Sequence, residues 1–529
     1  MRCRGPGDTR ARFTVRRVRS CVAGPKTWPA VFPRPVVVVI TAIITVALFA
    51  AACTGTGLRS GDRQRSSQLI VGFTQEPADW NFLRNPTTAI RSLLFYNVVE
   101  TLITQDADGR LRPLLAKDFR VTADGKRYVF ELRNATFHNG ERLSGEDVVY
   151  SAKLARASPL SEISAPFRDV RRIAKIDDRT VEFTLATPSR AFALAMATKV
   201  PIIPSGSEPE LASHPVGTGP FSFAEWRNGV RVVLEADRDY WGRPPAFARV
   251  EWRFIADLNA ALNALLAGDI DVLPAVIEKN EVRKVDNSEG FTSVPVASQE
   301  ILYVTLNARS PKFRDPLVRQ AIAHAIDRDT LAEGMELVAK PTCVLINPPT
   351  ELLHSDHCPY RYDPALARRS LAEAGVEGLR VRFPYFTDQF SIVTEILAQQ
   401  LGHAGVELEP ENMDLATYAD RVVGNNDFEA TVVSGPQQIE SWRCPGWYTG
   451  DCLPALDRLL AEADAAATEA EWARSRRAAA ELQAERAFVI PLGTVVQNAL
   501  HRDDLTGFAT SSAASEFDLR GIHWVNERH

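Results

Sequence analysis

The stretch SGPQQIESWRCPGWYTGDC, Ser434 to Cys452, gathers groups that could do chemistry. It holds two cysteines eight positions apart, two tryptophans, a tyrosine and the carboxylate of Glu440. Two thiols at that spacing could close a disulfide, hold a metal or cycle between redox states. Cys444 and Cys452 stand too far apart for a Cys-x-x-Cys redox motif. HSDHC, His354 to Cys358, could supply zinc ligands, but no second ligand pair stands at metal spacing. The reading left is a disulfide-stiffened wall of a binding pocket or a stapled surface loop. Catalytic motifs are absent: there is no Gly-x-Ser-x-Gly, phosphate loop or His-Glu-x-x-His. The nine histidines are scattered, and His324 falls near the core face of an amphipathic helix.

The seven cysteines divide by position. Residues 2–26 are arginine-rich and poor in acids, and PVVVVITAIITVALFAAAC, Pro35 to Cys53, is uncharged and apolar. A basic segment, an apolar core and small residues before a cut site make an export signal. Its Ala-Ala-Ala-Cys end resembles a bacterial lipobox, although Ala50 stands where a leucine is usual. Residues 1–52 would then be removed, Cys53 would carry lipid, and 53–66 would be a polar tether. Two acyl chains anchor a protein stably; an uncleaved membrane-spanning anchor is the alternative. Cys343, Cys358, Cys444 and Cys452 remain, an even set in an oxidising compartment, so two disulfides are expected. Three pairings are possible, and the local one, Cys343–Cys358 with Cys444–Cys452, is chosen here.

The elements that must position these groups read as mixed α/β. A chain of 529 residues is expected to form two or three domains. An apolar fraction of 45% and a charged fraction of 24% are globular averages. A net charge of −5 gives no basic field for nucleic acid. QLIVGF, RYVFEL, TVEFTL, ARVEWRFI, ILYVTL and FVIPLGTVV read as strands, and Asn228-Gly229 as a hairpin turn. Ser144 caps one helix, and Asp315 with Pro316 starts another, whose Val318, Ala321, Ile322, Ala325 and Ile326 form one apolar face. The Ala- and Arg-rich helices at 454–486 read as an exposed, salt-bridged packing layer.

Four segments then resemble, in order, the extracytoplasmic solute-binding proteins of ABC importers, family 5, which take up oligopeptides, dipeptides and nickel complexes. They are LLAKDFRVTADGKRYVFELRNATFHNGERLSGEDVVYS, VGTGPFSFAEWRNGVRVVLEADRDYWGRPP, NALLAGDIDVL and LYVTLNARSPKFRDPLVRQAIAHAIDRDTL. The resemblance runs from about residue 67 to the end of the chain. It implies a two-lobed, type II periplasmic-binding fold with an extra α/β domain and a hinge. Lobe I would comprise 67–98, 201–300 and 497–529, the extra domain 99–200, and lobe II 301–496. It further implies capture of peptides between the lobes and delivery to a permease and ATPase, by a monomer with no cofactor. The alternatives are a non-peptide solute (a metal chelate, haem or glycoside) on the same scaffold, or a sensing or envelope role without transport.

In peptide-binding relatives the ligand lies extended in the cleft, and an aspartate in the segment matching 434–452 meets its amino group. Here that position falls at about Gln438, beside Gln437, and no aspartate occurs between Asp427 and Asp451. Glu440 is the nearest carboxylate. The other wall residues implied are Trp80 and Asn81 in EPADWNF, Gly217, Thr218 and Gly219 in VGTGPF, Tyr385, Thr387 and Asp388 in YFTDQF, and Trp442.

Overall fold

The computed structural model describes residues 67–85, 87–106, 110–296, 300–335, 339–346, 353, 355–386, 388–435, 439–444, 449–466, 468–508 and 517–525. All belong to one compact unit, Gly61–His529. The export signal, Cys53 and the tether lie outside them. Among the described residues no helix is long and apolar enough to cross a membrane.

The apolar strand Gln68–Phe73 pairs in parallel with both Arg249–Phe254 and Val272–Val276. It lies at the centre of a seven-stranded sheet. Flanked on both sides and covered on both faces, it needs a near-continuous apolar sequence, which it has. Phe221–Arg227 and Arg231–Ala236 form the expected hairpin, and Gly229 takes the positive φ of 71° that the turn requires. The Glu76 carboxylate holds that turn, accepting from Gly229 N and from Trp226 Nε1 at 2.8 Å each. Trp80, Trp252, Phe73 and Phe223 fill the core behind the sheet. Each such side chain contributes about 1.5–3 kcal/mol by leaving water. This is lobe I.

An insert emerges from lobe I. Its antiparallel sheet runs Ala116–Val121, Arg127–Leu132, Thr180–Leu185, Val170–Lys175 in spatial order. Tyr128, Phe130 and Leu132 alternate inward to meet Phe183, Phe167 and Phe192. The helix Gly145–Ala157 starts in a capping box: Ser144 accepts from the backbone while Asp147 reaches back to Ser144 N. A second helix, Arg190–Thr198, begins at Ser189, whose hydroxyl accepts from Phe192 N.

Lobe II is built on Ile301–Leu306, buried at every position. Val489–Val495 and Ala430–Gly435 flank it antiparallel, and Ala339–Pro341 adds an edge. Alternate residues of the central strand enter two cores. Leu302, Val304 and Leu306 meet the helices Pro316–His324 and Asp388–His403 and the parallel pair Leu379–Tyr385 and Val406–Asn412. Ile301 and Tyr303 meet Trp442 and the helices Pro454–Ala465 and Glu469–Arg486. Those last helices are not the exposed layer expected from composition. Trp472, Ala473, Ala479, Ala480 and Gln483 are buried, because small alanines let the helix lie flat on the core without giving it an apolar stripe. Cys343 is joined to Cys358 and Cys444 to Cys452, with Cα atoms 5.0 and 4.6 Å apart. Closing a loop of about 15 residues in this way contributes about 3 kcal/mol through the unfolded chain.

Two passes of the chain join the lobes. Phe291–Val296 of the lobe I sheet leads to Ile301–Leu306, and Val489–Val495 leads back to Gln497–Arg502. The first residues of Ile301–Leu306 and the last of its two antiparallel neighbours therefore lie along one edge of the lobe II sheet, the edge facing lobe I. The result is a mixed α/β, two-lobed molecule.

The cleft between the lobes

The second pass, from Val495 to Gln497, leaves the lobe II sheet beside Glu300. Glu300, at the head of the central strand, fixes its backbone there: its carbonyl accepts from Val495 N at 2.9 Å. Its carboxylate accepts from Ser434 Oγ at 3.2 Å. Burial raises the Glu300 pKa, and the Ser434 hydroxyl pulls it partly back. On the lobe I side, Asn498 Nδ2 reaches Val276 O at 3.5 Å, and Ile277 packs against the lobe II core. Lys279 Nζ donates to Glu333 O at 3.1 Å, a further bond between the lobes.

Away from these passes, the insert reaches lobe II. Arg190, at the start of its helix, lies 3.3 Å from Glu469 Oε1, with its guanidinium carbon 4.5 Å from the Trp472 ring centre. Arg476 approaches the same ring at 5.3 Å, and Arg110 lies 3.7 Å from Glu469 Oε2. Leu194 rests on the lobe II core. Asp464 accepts from the backbone of Ala191 and from Arg443 Nη2 at 2.8 Å. Arg443 adjoins Cys444, so one carboxylate ties the 444–452 disulfide loop to the insert. Burial raises the Asp464 pKa, against the pull of Arg443.

The insert's junction with lobe I is different in kind. Glu100 is fully buried and accepts from Tyr240 OH (2.8 Å), Trp241 Nε1 (2.8 Å) and Thr218 Oγ1 (2.9 Å). Desolvation pushes its pKa up to about 7 against these three donors and nearby Arg520. Arg520 is itself held by Asp518 at 2.6 Å.

Several of the residues expected above as wall residues have partners within the chain. Thr218 is buried and donates to Glu100. A Cβ on Gly217 would come 2.0 Å from Val98 O, and one on Gly219 2.6 Å from Asn97 O. The close approach these glycines permit is to this chain's own backbone. Trp80 has no exposed surface; it lies edge-on to Phe223 and Trp226, at 5.5 and 5.6 Å. Asn81 is buried and accepts from Leu83 N in a local turn. Trp442 is buried edge-on to Tyr303.

Tyr385 is buried as well, in the first lobe II core, with its hydroxyl 3.5 Å from Ser391 Oγ. Its strand runs alongside Ala430–Gly435 in the same direction, through Arg382 N to Glu429 Oε2 and Thr431 Oγ1 to Pro384 O. This register sets Tyr385 level with Val432, in the middle of the lobe II sheet, while Gly435 and Glu300 lie at its end. Thr387, Gln437 and Gln438 lie outside the described residues, as do the side chains of Asp388 and Glu440. Sequence reading missed Glu300, whose one local signal is a carboxylate abutting the apolar run ILYVTL. It also missed Arg190 and Asp464, whose partners are distant in the chain. Among the described residues no group of three or more His, Cys, Asp and Glu side chains is arranged to hold a metal, and Cys358 is committed to its disulfide.

Residues 110–439 match the model of the bacterial extracellular solute-binding proteins, family 5 Middle. The chain is 30% identical over 389 residues to the glutathione-binding protein GsiB of Pectobacterium atrosepticum, covering 70% of this chain and 73% of that one. It is 26% identical over 441 residues to the oligopeptide-binding protein AppA of Bacillus subtilis, covering 74% and 79%. The fold is similar to that of the periplasmic binding protein DppA of Helicobacter pylori in complex with the peptide STSA. That match has a TM-score of 0.73 and 21% identity, over 88% of this chain and all of the other. With more than half of its length matched by the family model, a hinged pair of lobes and a cleft between them, the chain belongs to the family 5 bacterial extracellular solute-binding proteins.

Proposed function

We propose that this protein captures short peptides between its lobes outside the cytoplasmic membrane and hands them to an ABC permease and ATPase. One observation carries the reading: a floor of two chain passes stands opposite a contact that can separate. Glu469 in that contact is 37% exposed and Arg190 14%, so parting there breaks a partly solvated ion pair and uncovers only Leu194 and one face of Trp472. Parting and closing about such a floor is a hinge motion that encloses a ligand. The strand end at Gly435 offers backbone groups to an extended peptide, and backbone pairing gives affinity without reading side chains. Tyr385, Thr387, Asp388, Gln437, Gln438 and Glu440 form the lobe II wall in this reading. Relatives named for peptide and glutathione binding support it.

The same proposal takes residues 1–52 as an export signal and Cys53 as the lipid-bearing residue that holds a monomer at the membrane surface. It takes 67–98, 201–300 and 497–529 as lobe I, 99–200 as the insert and 301–496 as lobe II, with a binding rather than a catalytic role. The test is a thermal-shift panel of short peptides, their N-acetylated forms and non-peptide solutes such as a nickel–histidine chelate, haem and a glycoside. Stabilisation by the peptides is expected. Stabilisation by a non-peptide solute with none from either peptide set would overturn the reading.

A further inference from the structure

We infer that the Cys444–Cys452 disulfide is part of the catch that holds the lobes shut: it sets Arg443 on Asp464, and Asp464 holds the insert helix across the gap. The inference rests on the hinged reading above and specifies what governs the closed state. The helix Arg190–Thr198 begins with backbone N–H groups that its own first turn cannot satisfy. Ser189 Oγ accepts from Phe192 N at 3.2 Å, within the insert. Ala191 N is met instead by the Asp464 carboxylate, from lobe II. A carboxylate at the positive end of a helix is favourable, so this bond draws the two bodies together. When the lobes part, Ala191 N exchanges Asp464 for water.

Closing the contact takes Asp464 partly out of water, and Arg443 Nη2, at 2.8 Å, offsets that cost. What holds Arg443 there is the bridge. Asp464 and Asp457 stand two turns apart on one face of the helix Pro454–Ala465. Asp457 Oδ1 accepts from Cys444 N at 3.2 Å, so residues 443 and 444 lie along that face. On one side of them Trp442 is buried in the lobe II core. On the other, Cys444 is bridged to Cys452, just ahead of the same helix. Thr449 O accepts from Ala308 N at 2.8 Å and anchors the second limb of the loop. Arg443 is 37% exposed, and an exposed ion pair contributes little unless its geometry is held. Without the bridge the backbone beside Arg443 is freer, and Asp464 enters the closed contact less well compensated.

Double electron–electron resonance on the ligand-free protein tests this, with spin labels on Ile176→Cys in the insert and Ala372→Cys on the exposed side of the helix Pro364–Glu373. Wild type is compared with Cys444→Ser/Cys452→Ser, with Arg443→Ala and with the two changes combined. Cys343→Ser/Cys358→Ser, which removes the other bridge of the same lobe, is the control. Urea titration keeps every measurement below the unfolding transition of its variant. Loss of the 444–452 bridge should lower the ratio of shut to open distances about threefold, and Arg443→Ala should do the same. Combined, they should again lower it about threefold rather than about ninefold, because both act through Asp464. The control should keep the wild-type ratio. An unchanged ratio without the 444–452 bridge overturns the inference, as does a ninefold fall in the combined variant or an equal fall in the control. No ligand enters the measurement, so these outcomes leave the peptide reading standing, and that reading fails separately, in the thermal-shift panel.

Discussion

The insert meets the rest of the molecule on two faces, and their chemistry differs. Towards lobe I it closes on Glu100, fully buried and bonded by three donors that come from two distant segments. Towards lobe II it offers Arg190, Ala191 and Leu194 to Glu469, Asp464 and the buried Trp472, and of these Arg190, Glu469 and Asp464 keep some contact with water. A buried carboxylate with its donors cannot be parted without stranding every member of the network. A partly exposed ion pair lying on an indole loses little when water replaces it. The first face holds the insert to lobe I as one body; the second is suited to open and close.

The largest effect expected from this contrast is on the lobe I face. Glu100→Ala leaves Tyr240, Trp241 and Thr218 without their buried acceptor. A loss of about 3–5 kcal/mol is expected in urea unfolding. A loss under 1 kcal/mol would remove the distinction between the faces.

The pH response of the same group sharpens it. The folded pKa of Glu100, about 7, stands above the ordinary 4.5, so the folded state binds the proton more tightly. The stability contributed by this group is fully present below about pH 4.5 and is lost as pH rises to about 7. That amounts to about 3 kcal/mol across the window. Glu100→Gln cannot ionise, so its stability relative to wild type should improve between pH 5 and pH 8 in urea titrations. A difference that stays flat across this range would contradict the assignment.

The smallest effect belongs to the separable face. Arg190→Ala removes one ion pair and one ring contact, so peptide affinity should fall about three- to tenfold, mainly through faster release. Its urea midpoint should move by less than about 1 kcal/mol. If Arg190→Ala destabilises the fold as much as Glu100→Ala, both faces are structural.

What could be read from the sequence was local. The Asn228-Gly229 hairpin, the Ser144 cap, the Asp315-Pro316 helix start and the strand Ile301–Leu306 each depend on neighbours a few residues away. Glu100 could not be read, because its partners lie at positions 218, 240, 241 and 520. Gly217 and Gly219 were legible as sites of close backbone approach. Whether a ligand or this chain fills that space depends on residues 97–99, more than a hundred positions earlier. Trp80 and Trp442 pose the same ambiguity, since an indole serves equally in a core or on a wall. In Glu469–Arg486 the buried face is mostly alanine, so its packing side gave no periodic signal.

The central claim is that ligand capture moves one face of the insert and leaves the other fixed. Double electron–electron resonance measures this directly with spin labels at exposed positions. Ile176 on the insert pairs with Val230 on lobe I in one sample, and with Tyr362 on lobe II in another. Adding a binding peptide should narrow and shorten the Ile176–Tyr362 distribution and leave Ile176–Val230 unchanged. Movement of the Ile176–Val230 pair, or no change in either pair at saturating peptide, would contradict the account.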